Sequence, residues 1–278
     1  MLMSSQATRY AHLLLKARED GALLPLLSSG GKIGVDDAYD IAHSARKLRI
    51  AHGERPVGRA IVFSNPKLRS RYGKTAPIAA PLWTTLFDED VACAVDNVGS
   101  ISLGNMPQPR IAPQLVLKLA SAPTARTKQL ADCIEWIAPG FTLAACPFAD
   151  WEFDTADAIA AFGLQRRVVI GEPKALSPQH QAHLPDVLAD AGLSLSKTAN
   201  GSSGICAAGW GSDLMGNPLH ALGWLQQQLS SQPAFPPLQA GEIITTGSWT
   251  NPQPVARGEV WASAFAQLNL PGLRLAIA

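Results

Sequence analysis

The sequence predicts an α+β protein, a mainly β domain of mixed sheets preceded by a helical N-terminal segment, and three observations carry that expectation. Near the N-terminus apolar residues recur at helical spacing, Tyr10, Leu13 and Leu14 in one stretch and Ala38, Ile41, Ala42 and Ala45 in another. From Gly58 onward short β-branched runs alternate with breaks rich in Pro and Gly. Few helical stretches separate those runs, which favours mixed sheets over a regular alternation of strand and helix.

Taken in order, residues 5–17 and 35–53 are predicted helices, and Asp36 and Asp37 open the second with charges that suit the positive end of its dipole. They form an expected helical cap over residues 1–56, followed by a β-rich domain over 57–278. Strands are expected at 60–63, 91–95, 101–103, 115–119, 167–170, 193–197, 204–208, 242–246, 260–265 and 273–277. Two further helices, 127–136 and 218–228, are expected to pack against them.

Composition narrows the function classes. At 278 residues the chain can bury a substantial core, and 47% hydrophobic with 16% charged residues describe an ordinary globular protein. Lys and Arg number 23 against 22 Asp and Glu, so no basic excess is available to neutralise phosphates, and nucleic acid is not an expected partner. No run of about 18 apolar residues could span a bilayer, and the N-terminus lacks a secretory pattern, so the expected location is the cytoplasm, away from membranes. Cys93, Cys133, Cys146 and Cys206 lack the short paired spacing of a zinc or redox motif and are expected to be buried free thiols.

The chemistry-bearing pattern begins with the strand-like run from Ile111 to Leu119, containing Ala112-Pro113-Gln114, and with Gly140-Phe141-Thr142 beyond it. Val57-Gly58-Arg59-Ala60-Ile61-Val62-Phe63-Ser64-Asn65, Arg71-Tyr72-Gly73 and Ala76-Pro77-Ile78 precede it. Residues 147–157 (PFADWEFDTAD), Gly216-Asn217-Pro218-Leu219-His220 and Thr245-Thr246-Gly247 follow. In order and spacing these segments resemble the 2-keto-4-pentenoate hydratase and oxo-acid decarboxylase branch of the fumarylacetoacetate hydrolase superfamily, from about Asp36 to the C-terminus.

The resemblance implies a fumarylacetoacetate-hydrolase-like fold and, in most of the family, Mg²⁺ or Mn²⁺ held by carboxylates from Glu-Pro-Glu and Gly-Phe-Glu. Here the corresponding residues are Ala112, Gln114 and Thr142. The family's lysine in Gly-Arg-Lys-Ile-Gly is Ala60, and an expected aspartate aligns with Thr84. Because alternate strand residues share a face, positions 112, 114, 116 and 118 are expected to project together. Magnesium requires at least one or two carboxylates, and this trio supplies none, so no metal and no cofactor are expected.

The remaining candidates are Lys118, for a positive charge on the same strand face, and Arg71 with Tyr72 in a loop resembling the family's lid, where an arginine can take a carboxylate bidentately. Ser64, Asn65, Gln114, Thr142 and Thr246 are the candidate substrate-binding residues, Gln114 and Thr142 as hydrogen-bonding groups or as a neutral filling of the cavity. His43 and His220 read as packed or surface histidines. Ser202 and Ser203 have no partner arrangement of a nucleophilic triad, and residues 201–211 lack phosphate-loop spacing. Two function classes follow: a metal-independent lyase or isomerase acting on a small oxo-acid or related carbonyl compound, and a catalytically inactive relative that binds a small molecule or serves as a partner subunit. A homo-oligomer, or a hetero-oligomer with a related enzyme, is the expected assembly.

Overall fold

The computed structural model describes residues 3–29 and 33–278. Helices α1 (Ser4–Asp20) and α2 (Val35–Ala51) come first, then β1 (Pro56–Val62), the one-turn α3 (Pro66–Arg69), β2 (Leu82–Phe87), β3 (Val91–Cys93), β4 (Val98–Ile101), β5 (Arg110–Leu119) and β6 (Ile134–Ala144). The chain continues through α4 (Thr155–Ala160), β7 (Gln165–Ile170), β8 (Lys174–Ala175), α5 (Pro178–Asp190), β9 (Gly192–Ala199) and β10 (Ser202–Trp210). It ends with α6 (Pro218–Ser231), β11 (Ile243–Thr245), β12 (Gln253–Pro254), β13 (Val260–Ala266) and β14 (Arg274–Ile277).

Local chemistry accounts for the helix boundaries. Asn65, Ser177 and Asn217 accept backbone N–H groups at the starts of α3, α5 and α6, each followed by a proline whose missing donor costs nothing there. Helix α1 ends at Gly21 in the left-handed conformation, φ 71°. Its buried face consists of Ala7, Ala11, Leu14 and Ala17, and α2 answers with Ala38, Ile41 and Ala45. Small residues let the two axes approach closely, and both faces join the main core with Leu115, Phe153 and Leu222.

The large sheet runs β2-β1-β11-β5-β6-β7-β3, with β12 and β8 as additions on β5 and β6. The pairs β1/β11 and β3/β7 are parallel, and β5/β6 and β6/β7 antiparallel, so the sheet is mixed. A second sheet, β10-β9-β13-β14-β4, packs against one face of the first through Ile111, Phe141, Leu143 and Val169 on one side and Leu195, Trp261 and Leu275 on the other. Alternation therefore sends Ala112, Gln114, Thr142 and Val168 to the opposite face. Every predicted strand lies on or beside an observed one. No helix among the described residues is long and apolar enough to cross a membrane.

The structure corrects three expectations. Residues 127–136 are not a helix: a short turn at Leu130–Cys133 leads directly into β6. The spacing of Leu130, Cys133, Ile134 and Ile137 is helical, and pairing of residues from Ile134 onward with β5 and β8 overrides it in favour of a strand. Helix α5 has no counterpart in the expectation, because only Leu184 and Leu188 are buried along it and Pro185 interrupts the pattern. Of the four thiols, Cys133 and Cys146 are buried but Cys93 and Cys206 are exposed.

A buried ion cluster fastens the N-terminal helices to the large sheet. Asp90 accepts Arg18 Nη2 at 2.6 Å, Arg49 Nη1 and Nη2 at 2.9 and 3.0 Å, and the Phe87 amide at 3.2 Å. Burial pushes its carboxyl up, but the charges of Arg18 and the hydrogen bonds of Arg49 more than offset this and hold it below the usual carboxylate range. Its stabilisation is thus present above the unfolded-state value and lost as pH falls through the lower folded value. Asp90→Asn is expected to cost about 3–5 kcal/mol at neutral pH by leaving the buried Arg18 guanidinium without a carboxylate and Arg49 with Glu54 alone. Urea unfolding measures this, and the gap between wild type and variant should close on acidification.

Candidate functional site

The face of the large sheet turned away from the second sheet carries a row of small and apolar side chains. Ala60 on β1 pairs with Thr245 on β11, Thr245 with Val116 on β5, and Val116 with Ala138 on β6. Ala60, Leu86, Val116, Ala138, Val168 and Ile170 form one apolar cluster there. The next row brings Gln114 opposite Gly140, and the one after it Ala112 opposite Thr142. Gly140 has to be glycine, since a Cβ would meet Val116 Cγ2 at 2.5 Å.

Gln114 and Thr142 come together as the sequence expects. The Gln114 amide nitrogen donates to the Thr142 hydroxyl oxygen, in surroundings where Gln114 is 1% exposed. Ala112, which has no donor atom, is buried beside them. The donor set does not fit a divalent cation: it contains no charged oxygen, and its amide and hydroxyl are engaged with each other. Among the described residues no group of three or more His, Cys, Asp or Glu side chains is placed to hold an ion.

Above this pair lies a cavity of about 50 Å³, bounded by Val62, Phe63, Leu68, Tyr72, Trp151 and Leu164, with Ser64, Asn65 and Thr142 among its polar lining groups. By volume it has room for about three or four waters or a short carbon chain. Its roof is aromatic: Tyr72 stacks on Phe153 at 5.8 Å between centroids and meets Phe63 edge-on at 5.4 Å. Backbone bonds from Lys74 to Phe153 O and from Ile78 to Tyr72 O fix the loop that carries Tyr72.

Tyr72 is the titratable side chain of this lining. Burial raises its phenol above the usual value, and the adjacent Arg110 partly counters the shift. Arg110 Nη1 donates to the Tyr72 oxygen at 2.8 Å, and its guanidinium stacks over Trp151 at 4.1 Å from the ring centre. Sequence reasoning passed over Arg110, although strand alternation signals it: position 110 shares a face with 112 and 114.

The other predicted residues separate into lining groups and supports. Ser64 Oγ donates to Thr246 O at 2.7 Å, and Thr246 Oγ1 donates to Leu115 O at 3.1 Å. Thr246 is fully buried and absent from the cavity wall, so it holds the Ser64 turn to β5 and presents nothing to a ligand. Gly247, φ 95°, lies against Ser64 where no Cβ fits. Asn65 caps α3 through Lys67 N at 3.0 Å while its residue lines the cavity. Arg71 is exposed and lines an outer vestibule.

Lys118 does not line the cavity. It shares the face of Gln114, but Val116 stands between them and the ammonium pairs with Glu135 at 3.3 Å, beyond the apolar cluster. His43 packs on Phe235 at 5.3 Å, and burial lowers its imidazole below the usual value. His220 bonds to Met215 O at 2.9 Å.

No family model matches the chain. The 2-hydroxyhexa-2,4-dienoate hydratase of Comamonas testosteroni is 28% identical over 261 residues, 92% of this chain and 91% of the relative. A 2-keto-4-pentenoate hydratase of Paraburkholderia xenovorans (strain LB400) is 26% identical over 262 residues, 92% and 90% of the two chains. Among solved structures, 4-oxalocrotonate decarboxylase from Pseudomonas putida G7, complexed with magnesium and adipate, matches with a TM-score of 0.85 at 18% identity over 100% of this chain and 99% of that one. The fumarylpyruvate hydrolase of Pseudomonas aeruginosa, in complex with Mn²⁺ and pyruvate, matches with a TM-score of 0.56 at 12% identity over 80% and 89%. At these identities the two structures speak to the fold.

The Gln114–Thr142 contact makes a direct prediction. Thr142→Val should lower stability by about 1–3 kcal/mol, because a buried amide loses its acceptor. Adding Gln114→Leu should recover much of that loss, since removing both partners leaves nothing unsatisfied. A double-mutant cycle in urea measures the coupling.

Proposed function

We propose that this chain, which belongs to the 2-keto-4-pentenoate hydratase branch of the fumarylacetoacetate hydrolase superfamily, is a lyase or isomerase that works on a small oxo-acid or related carbonyl compound without a divalent metal. The observation that carries the reading is that Tyr72 and Thr142 line one cavity, Tyr72 held from outside it by Arg110 and Thr142 engaged by the neutral Gln114. Relatives named as hydratases supply the reaction class and the substrate class.

The chemistry follows from the lining. Tyr72 is protonated at neutral pH, since burial raises its phenol, and so it acts as a general acid. In a hydration, water adds to the substrate's carbon–carbon double bond, the displaced electron pair moves toward the carbonyl, Tyr72 delivers its proton where that negative charge develops, and the proton lost by the added water returns to the Tyr72 oxygen. Arg110 donates to the phenolate left behind and stabilises it until a proton returns. Thr142 has a hydroxyl hydrogen to offer a carbonyl oxygen, since its own oxygen accepts from Gln114. Exclusion of bulk water by Tyr72, Trp151 and Phe153 strengthens each of these interactions.

The mostly apolar lining also supports a second reading, a non-catalytic relative that binds a small ligand, alone or as the partner subunit of an active enzyme. Turnover assays on 2-hydroxydienoates and 2-oxo acids separate the two. On the enzymatic reading, turnover survives EDTA unchanged and Tyr72→Phe lowers kcat by about 10²–10⁴-fold, the usual contribution of a positioned acid. EDTA-sensitive turnover would sink the metal-free mechanism, and a wild-type rate in Tyr72→Phe would remove the acid.

Metal binding offers a test that needs no substrate. Wild type is expected to show no saturable Mn²⁺ binding by calorimetry. The triple change Ala112→Glu, Gln114→Glu, Thr142→Glu should create such binding, because the β5/β6 register already directs these positions to one place. That variant should melt higher in Mn²⁺ than in EDTA, as the ion binds the folded state and relieves repulsion among the carboxylates.

A further inference from the structure

Where α1 meets the large sheet there is an open cleft of about 470 Å³, which shares no lining residue with the cavity. Four arginines enter it: Arg18 from α1, Arg49 from α2, and Arg166 and Arg167 from the start of β7. Two carboxylates pair with them. Asp90 takes Arg18 at 2.6 Å and Arg49 at 2.9 Å, and Glu54 takes Arg49. Among the described residues no carboxylate forms an ion pair with Arg166 or Arg167.

The four differ in the donors they have left. Arg49 engages Nε, Nη1 and Nη2 with Glu54 and Asp90, and Arg18 donates from Nη1 to Gln165 O at 2.7 Å and from Nη2 to Asp90 and Arg166 O. Arg166 has one contact, from Nη2 to Asn105 Oδ1 at 3.5 Å, the outer limit of a hydrogen bond, and Arg167 has one, from Nη1 to Glu89 O. Each therefore keeps most of its N–H groups for another acceptor. Burial and the charges of Arg167 and Arg49 push the Arg166 guanidinium below its ordinary value, and Asp90 offsets only part of this. Glu19 and Glu89 stand exposed at the rim and pair with neither arginine. Two half-buried positive charges thus share one cleft without a partner.

We propose that this cleft is a second ligand site, for a small phosphate dianion, the free ion or the phosphate group of a small ester, held between Arg166 and Arg167. A dianion matches the two unpartnered charges, and its tetrahedral oxygens accept paired N–H groups from two guanidinium planes at once. A monocarboxylate has one charge and one pair of oxygens, enough for one arginine. Arg18 connects the site to the cavity, since it holds the carbonyls of Gln165 and Arg166, and Gln165 lines the cavity wall. An occupant of the cleft therefore engages the same end of β7 that bounds the cavity.

Calorimetric titration of the full chain with inorganic phosphate, glycerol phosphate and acetate tests the site, at constant ionic strength in chloride and at a slightly alkaline pH where phosphate is a dianion. One phosphate per chain should bind saturably, at least about tenfold more tightly than acetate. Whichever of the free ion and the ester binds more tightly identifies the source, and either supports the site. Arg166→Gln and Arg167→Gln should each weaken phosphate by at least about tenfold, Arg166→Lys by less, as a point charge without the planar fork. Arg71→Gln, an exposed cation elsewhere, should leave phosphate affinity unchanged. Absence of saturable phosphate binding by wild type overturns the proposal, as does binding that both glutamine variants retain in full, which puts the ion elsewhere. Equal affinity for acetate overturns the dianion assignment. Should Arg166→Gln fail to fold, Arg167→Gln decides. None of these outcomes depends on what the cavity binds.

Discussion

β5 pairs with β6 from Arg110 opposite Ala144 to Leu119 opposite Ile134, and the register of this antiparallel ladder determines which side chains can meet anywhere in the site. A slip of β5 by one residue would turn Ile111 toward the cavity and Gln114 away from Thr142 to the opposite face. That layer enforces the register, because Ile111, Phe141 and Leu143 are wholly buried against the second sheet. Each is worth about 1.5–3 kcal/mol of burial, more than the neutral pair on the other face contributes. The site is therefore positioned by residues that never touch a ligand.

With the register fixed, the neutral pair affects what the surrounding structure can do. Carboxylates gathered at positions 112, 114 and 142 would repel one another and demand either a cation or abundant water. An amide donating to a hydroxyl demands neither. Ala60, Val116, Ala138 and Val168 accordingly pack as one apolar cluster on the same sheet face, and Phe63, Tyr72 and Phe153 pack on one another in the roof.

The periodicity of the sequence reveals the β5 face, the neighbourhood of Gln114 with Thr142, and the β-rich plan with its two leading helices. It misreads 127–136 because apolar residues at 130, 133, 134 and 137 recur at helical spacing, and only the neighbouring β5 and β8 decide for a strand. Lys118 shows a different limit. Alternation correctly places it on the face of Gln114, but it says nothing of the intervening Val116 or of Glu135, which takes its charge. Arg110 is the converse, legible from the same alternation in the other direction along the strand, yet meaningful only once the loop bearing Tyr72 and the turn bearing Trp151 are seen folded over it.

That folding-over ties recognition to closure. Arg110 belongs to the rigid central strand, whereas Tyr72 and Trp151 arrive on separate loops, and the guanidinium is where all three meet. A group that binds Arg110 acts at once on the residue that orients the phenol and on the ring that walls the cavity. The positive charge of the site thus resides on a side chain at the entrance, fixed by stacking and a hydrogen bond, while the floor is neutral.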